Sequence, residues 1–278
     1  MFSLVEYKTI TMKKILLLLS ISASIAACST NAVTGRKQLS LVPDEQLQAD
    51  AVTQYRTFLS ESKVVSSSNN RDAEMVKRVG SRIANAITTY YNGQGKGDVL
   101  AGYNWEFNLV DSKDVNAWCM PGGKVVVYTG LLPITQNEAA LAVVLGHEIT
   151  HAVAKHTNEA ISKQYLLQGI GGVVGASIGN EQKASIFNNV FGLGAGVAGL
   201  KNSRNAEYEA DKFGLMFSAM AGYNPQEAIP FWNRMADAGG GNKPPEFLSS
   251  HPSDENRIGR LQEFMAEALS YYKPIKKK

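Results

Sequence analysis

The sequence predicts an α+β fold, mainly α-helical, with a small antiparallel sheet and one helix that carries the chemistry. Three observations lead there. Apolar residues recur at helical spacing in several long segments, two short segments of strand character flank a Pro-Gly-Gly turn, and a strongly apolar helical stretch encloses a cluster of His and Glu. With 278 residues, 44% of them hydrophobic and 19% charged, the chain has the composition of one globular domain of about 200 residues plus a leader.

The elements follow in order. Pro43-Asp44-Glu45 offers a helix start, after which Leu47, Ala51, Tyr55, Phe58 and Leu59 keep helical spacing; Met75, Val79, Ile83 and Ile87 do the same beyond the break at Ser66-Ser67-Ser68-Asn69-Asn70. From Tyr103 to Val110, Tyr103, Trp105, Phe107 and Leu109 alternate with polar residues, and Lys124 to Tyr128 is β-branched and aromatic; Pro121-Gly122-Gly123 separates the two strands. A helix then runs from Asn137 to about His156, with Leu141, Val144, Leu145 and Ile149 on its apolar face. The Gly-rich stretches from Leu166 to Ile178 and from Val190 to Leu200 are each shorter than a membrane span and read as packed core helices.

Composition excludes some functions. A net charge of +3 is small for this length, part of it comes from Lys13, Lys14 and Lys276 to Lys278, and no basic stripe is interleaved with aromatics, so nucleic acid is not an expected partner. Cys119 is left without a second thiol in the folded body, so the fold must be stable without a disulfide.

The N-terminus reads as an export leader. Lys13 and Lys14 precede the apolar run Ile15 to Leu19, which continues through Ile21, Ile25 and Ala27 and is too short to span a bilayer. Residues before Met12 add nothing to that pattern, which makes Met12 a candidate start. Ile25-Ala26-Ala27-Cys28 resembles the lipobox of bacterial lipoproteins, in which the cysteine is acylated and becomes the new N-terminus. The expected organisation is a signal peptide over 1–27, a polar tether over 28–43 and a single domain over 44–278. A lipid on Cys28 would hold the protein on a membrane of the bacterial cell envelope, facing the periplasm. Ser29 and Thr30 carry no acidic inner-membrane retention signal, which points toward an outer membrane where the organism has one.

The chemistry centres on His147-Glu148-Ile149-Thr150-His151, an H-E-x-x-H motif. Residues four apart on a helix share a face, so the two imidazoles can converge on one metal ion with Glu148 beside them. Two neutral imidazoles and one carboxylate suit zinc and leave a fourth position for water, as a catalytic site requires. The third ligand must come from elsewhere. His156 follows His147 by nine residues, and on an unbroken helix at about 100° per residue it stands on the opposite face. In Ser203 to Asp211 the carboxylates Glu207 and Asp211 are four apart and share a face, whereas Glu209 points roughly away. One of that pair can bind the metal while the other accepts a hydrogen bond from a ligand imidazole.

H-E-x-x-H followed some fifty residues later by S-R-x-x-E-x-x-A-D resembles the gluzincin zinc metallopeptidases typified by HtpX and the CAAX prenyl endopeptidase, and in particular their periplasmic, lipoprotein-type members. Further matching segments are Asn31-Ala32-Val33-Thr34-Gly35-Arg36, Asn116-Ala117 through Pro121-Gly122-Gly123 to Thr129-Gly130-Leu131, and His251-Pro252 with Arg257-Ile258. The resemblance implies a zincin-like peptidase domain binding one Zn2+ per chain, with His147, His151 and Glu207 as ligands. It further implies Glu148 as catalytic base, Asp211 as partner of a ligand histidine, and His251 close to the metal, either donating to the oxyanion or filling the open zinc position.

The expected function is therefore that of a membrane-anchored endopeptidase for unfolded or damaged envelope polypeptides. Strand-like residues around Asn116 to Met120, with Asn116 and Ala117 at their start, or from Lys124 to Tyr128 offer an edge to an extended substrate. The competing classes are a non-catalytic chaperone or binding lipoprotein that retains a zinc site, and a structural zinc protein. Glu148 separates them, since a non-catalytic site has no need of a carboxylate beside its ligand histidines.

Overall fold

The computed structural model describes residues 28–167, 179–191, 203–238, 245–251 and 256–275. The leader through Ala27, Pro252 and nearly all of both Gly-rich stretches lie outside these residues. The chain begins with a hairpin of β1 (Cys28–Thr30) and β2 (Lys37–Leu39), then α1 (Asp44–Glu61), β3 (Val64–Val65), α2 (Arg71–Gly93), β4 (Glu106–Val110), β5 (Ala117–Met120) and β6 (Lys124–Tyr128). It continues through α3 (Leu132–Thr135), α4 (Glu138–Val153), α5 (His156–Leu167), α6 (Asn180–Phe191), α7 (Arg204–Met220), α8 (Ala228–Ala238), α9 (Glu246–Ser250) and α10 (Arg257–Tyr271). The mainly helical α+β class is as the sequence predicts. No described helix is long and apolar enough to cross a membrane.

The four-stranded sheet has the order β3-β4-β6-β5 and is mixed rather than wholly antiparallel. β4 and β6 pair parallel, with Glu106 opposite Lys124 and Val110 opposite Tyr128. The reason is that Pro121-Gly122-Gly123 does not join those two strands: it closes a hairpin between β5 and β6, whose partners run from Met120 with Lys124 to Ala117 with Val127. Gly122 and Gly123 both adopt the left-handed conformation the turn demands, with φ of 80° and 82°.

All five residues of β6 are buried, because the sheet has a core on each face. Leu109, Ala117, Cys119, Val125 and Val127 face a core built with α2, α4, α7, α8 and α10. The alternate residues Val110, Trp118, Met120, Val126 and Tyr128 face a second core built with α1, α5 and α6. A strand buried on both sides loses polar alternation, which is why Lys124 to Tyr128 reads as a continuous β-branched run. Cys119 is a buried free thiol, with its pKa pushed up by burial.

Residues 28–43 are not a free tether. The β1–β2 hairpin packs on the domain, with Asn31, Gln38 and Val42 all buried, and Asn31 Nδ2 donates to the carbonyl of Ala154 at the end of α4. Local polarity hid this, because the contacts are made with residues more than a hundred positions away.

The helix of the motif starts where the sequence places it, Asn137 capping it by accepting from the Ala140 amide at 2.9 Å. It ends early, at Val153, and Lys155 turns left-handed with φ of 55° before α5 begins at His156. From Ala140 to Val153 every residue is buried, so α4 lies inside the domain rather than on its surface. Its closest neighbour is α7. A Cβ on Gly146 would stand 2.5 Å from the Gly214 carbonyl oxygen, and one on Gly214 would stand 2.7 Å from the His147 amide nitrogen. This backbone-to-backbone crossing sets apart two glycines that are otherwise ordinary helix residues. Gly214→Ala should therefore lower stability by about 1–3 kcal/mol through overpacking. Gly93→Ala at the end of α2, where a Cβ meets nothing within 4 Å, should be neutral or raise it by up to about 1 kcal/mol. Denaturant midpoints of the two variants check the opposite signs.

Candidate metal centre

The crossing of α4 and α7 brings the sequence-predicted residues together. His147 and His151 project from α4, one turn apart, and Glu207 from the first turn of α7, whose N-cap Ser203 accepts from the Ala206 amide at 3.2 Å. His251 arrives from the residue after α9. One donor atom from each of His147, His151, Glu207 and His251 lies within 4.8 Å of the others, and all four residues are buried. His147 Nε2 is 3.1 Å from His151 Nε2 and 3.2 Å from His251 Nδ1; Glu207 Oε1 is 3.0 Å from His251 Nδ1 and 3.4 Å from His151 Nε2.

This donor set fits zinc. Ligands bound at about 2.0–2.1 Å around a tetrahedral ion stand about 3.3–3.4 Å apart, close to the separations above. Buried ring nitrogens that face one another and a carboxylate form a group that a cation satisfies and a packed core does not. Glu148 stands beside the cluster, 2% exposed; its Oε1 makes no hydrogen bond and lies 3.5 Å from His251 Nε2. Asp211 Oδ2 and Arg257 Nη1 are buried without a hydrogen bond as well, but of the three residues Glu148 is the one that lines the cleft, where a bound group can reach its oxygen.

Burial and neighbouring charges set the ionisable groups of the cluster apart. Burial pushes the Glu148 carboxyl up, only partly offset by His251 and His147. For Glu207 burial acts in the same direction but is outweighed by His251 and His147, which hold it well below the usual carboxylate range. Burial holds His151 well below its ordinary value, so it is a neutral donor. Burial also disfavours the charged form of His147, yet Glu207 and Asp211 overcome it and push this imidazole up to about 9, a proton that competes with a cation for Nε2.

Asp211 takes the place expected for the other carboxylate of the α7 face. Its Oδ1 lies 3.0 Å from His147 Nδ1 and fixes that ring so that Nε2 faces the cluster. Arg257 Nη2 donates to the same oxygen at 2.6 Å, while its guanidinium carbon lies 3.5 Å from the centre of the Trp232 ring. Arg257 was legible only as part of a matching segment, not as a partner of Asp211.

His156 is absent from the donor set but is not on the far side of the helix. Because α4 breaks at Lys155, His156 folds back and places Nδ1 2.9 Å from His151 Nδ1. All four histidines of the chain thus belong to one connected cluster. Glu209 points away from the donor atoms, as expected, yet it is buried and accepts from His156. Asn116 and Ala117 line a cleft with Trp118, Glu148, His151 and His251, and Ala117 opens β5, the terminal strand of the sheet.

The sequence is similar to those of known proteins. The profile of Peptidase family M48 matches residues 69–265. The mitochondrial metalloendopeptidase OMA1 of Saccharomyces cerevisiae is 36% identical over 181 residues, covering 63% of this chain and 51% of the relative. Its counterpart in Bos taurus is 30% identical over 256 residues, 85% of this chain and 46% of the relative. The beta-barrel assembly-enhancing protease of Yersinia pestis is 32% identical over 185 residues, 62% of this chain and 37% of the relative. The chain spans about half the length, or less, of these relatives. With the H-E-x-x-H helix, Glu207 and Asp211 all inside the matched region, the chain belongs to Peptidase family M48.

Proposed function

We propose that the chain is a zinc-dependent endopeptidase of the bacterial cell envelope, held by a lipid on Cys28 and acting on extended segments of unfolded or damaged polypeptides. The observation that carries the reading is the unsatisfied Oε1 of Glu148 beside a buried two-histidine, one-carboxylate donor set. A zinc ion bound by His147, His151 and Glu207 would supply Lewis acidity toward a peptide carbonyl and lower the pKa of a water toward about 7. Glu148, its basicity raised by burial, takes the proton from the attacking water and delivers it to the departing amine. Asn116 and Ala117, at the start of the terminal strand, hold the substrate backbone in extended form by strand addition. Asp211 keeps His147 turned toward the ion.

The role in envelope quality control is supported by the leader pattern and by relatives named for β-barrel assembly and for mitochondrial proteolysis. Four protein donors would also suit a structural zinc site, which is closed. Glu148 argues against that: a closed structural site gains nothing from a second buried carboxylate with an unpaired oxygen. His251, its Nδ1 standing at ligand spacing from His147 and Glu207, would instead hold the ion as a displaceable fourth residue and so keep the site blocked until substrate arrives.

Three outcomes test this reading. The purified chain should cleave casein in a chelator-sensitive way, and Glu148→Gln should abolish cleavage while zinc content stays at one per chain; cleavage by that variant would remove Glu148 as the base. His251→Ala should raise peptide turnover at unchanged zinc content if the residue blocks the site, whereas a drop of about 10²–10³ would make it an oxyanion donor instead. Cys28→Ser should release the protein from membranes or leave its precursor unprocessed; a shortened form still fractionating with membranes would exclude the lipid.

A further inference from the structure

His147 and His151 are both backed by other side chains, but differently. Behind His147 stand Asp211 and then Arg257. Behind His151 runs a longer series: His151 Nδ1 to His156 Nδ1 at 2.9 Å, His156 Nε2 to Glu209 Oε2 at 2.8 Å, and Arg36 Nε to Glu209 Oε1 at 2.7 Å. Arg36 Nη2 also donates to Glu159 Oε2 at 2.7 Å, and Glu159 is paired with Lys163 at 2.8 Å. His156 is 3% exposed and Glu209 8% exposed, so water does not substitute freely for these partners.

The direction of the hydrogen bonds can be worked out from the acceptor end. A carboxylate only accepts, so His156 carries its proton on Nε2 and donates to Glu209. A neutral His156 then has a lone pair on Nδ1, which makes His151 the donor in the bond between the two δ nitrogens. His151 is left with a lone pair on Nε2, the atom that faces His147 and Glu207. Arg36 satisfies Glu209 from the other side with Nε and with Nη2 at 3.3 Å, so the carboxylate stays in place with one acceptor site for the imidazole.

We propose that Arg36, Glu209 and His156 are positioning residues that fix His151 in the tautomer offering Nε2 to the metal, which makes the N-terminal hairpin a working part of the metal centre. The hairpin is built for it. Asn31 accepts from the amides of Val33 and Thr34 at 2.8 and 3.0 Å while donating to Ala154, and Gly35 turns left-handed with φ of 72°, which delivers Arg36 to Glu209. The segment Asn31 to Arg36, singled out in the sequence without a role, thereby receives one. The inference rests on the metal site proposed above.

The test uses the full chain and zinc alone. Zinc dissociation constants come from chelator competition, and histidine tautomers from 15N NMR, where four histidines keep assignment simple. Zinc-loaded wild type should show His151 protonated at Nδ1 and His156 at Nε2. Glu209→Gln, which can donate as well as accept and so no longer dictates direction, and His156→Phe, which removes the acceptor, should each bind zinc about 10–100-fold more weakly. Asn158→Ala is the control for stability: Asn158 is buried on α5 and bonds to Val42 and Asp44 outside the series, so this variant should unfold more easily yet keep zinc affinity within about threefold, well short of that loss. Unchanged affinity in both test variants, equal weakening in the control, or a proton on His156 Nδ1 in the zinc-loaded wild type would overturn the proposal. Wild type that binds no zinc would overturn the metal site itself.

Discussion

The close crossing of α4 and α7 at Gly146 and Gly214 is the constraint on which the rest of the structure depends. Both ligand histidines follow Gly146 within five residues, and Glu207 and Asp211 precede Gly214 by seven and three. Only with the two backbones in contact can a carboxylate borne by one helix reach imidazoles borne by the other. The cost is that ionisable groups are gathered in a place from which water is excluded. An uncompensated charge there would cost about 3–5 kcal/mol, so nearly every member is matched: Asp211 with Arg257 and His147, Glu207 with three histidines, Glu209 with His156 and Arg36. Three buried atoms of the cluster make no hydrogen bond, Asp211 Oδ2, Arg257 Nη1 and Glu148 Oε1, and of these residues Glu148 is the one that lines the cleft.

What could be read in the sequence was what local spacing encodes. The i, i+4 pairs His147/His151 and Glu207/Asp211 each define a helix face by themselves, Asn137 marks a helix start by accepting from its own backbone neighbour, and Pro43 stands just before the start at Asp44. The turn at Gly122-Gly123 was equally plain, but not which strands it joins, because a parallel β4–β6 pairing is fixed by the packing of helices on both faces and leaves no mark on the turn. The hairpin before Pro43 was missed for a similar reason. Its residues are polar, and they are ordered by Ala154, Glu159 and Glu209 rather than by a core of their own.

His156 shows most clearly where spacing fails. The periodic pattern continues through Lys155, and nothing in that residue type announces a left-handed backbone. Extending the helix puts His156 a half-turn from the ligands; breaking it one residue earlier puts the ring against His151. The left-handed backbone at Lys155 therefore separates a histidine remote from the centre from one attached to it, and a contact beside that break, Asn31 on the carbonyl of Ala154 just after α4, comes from a distant part of the chain.

The imidazoles of His147 and His151 are thus backed from distant parts of the sequence, His147 through Asp211 by an arginine at the start of α10 and His151 through His156 and Glu209 by an arginine of the N-terminal hairpin. Each arrangement ends in a guanidinium because a carboxylate that orients an imidazole must itself be oriented, and a planar fork of donors does this with little loss of freedom per bond. The arms differ in how they are anchored. Arg257 is 3% exposed and lies on Trp232, whereas the Arg36 side chain is 25% exposed and depends on a hairpin of six paired residues. Local opening is easiest where buried apolar contacts are fewest. By that measure the hairpin arm is the more easily opened of the two.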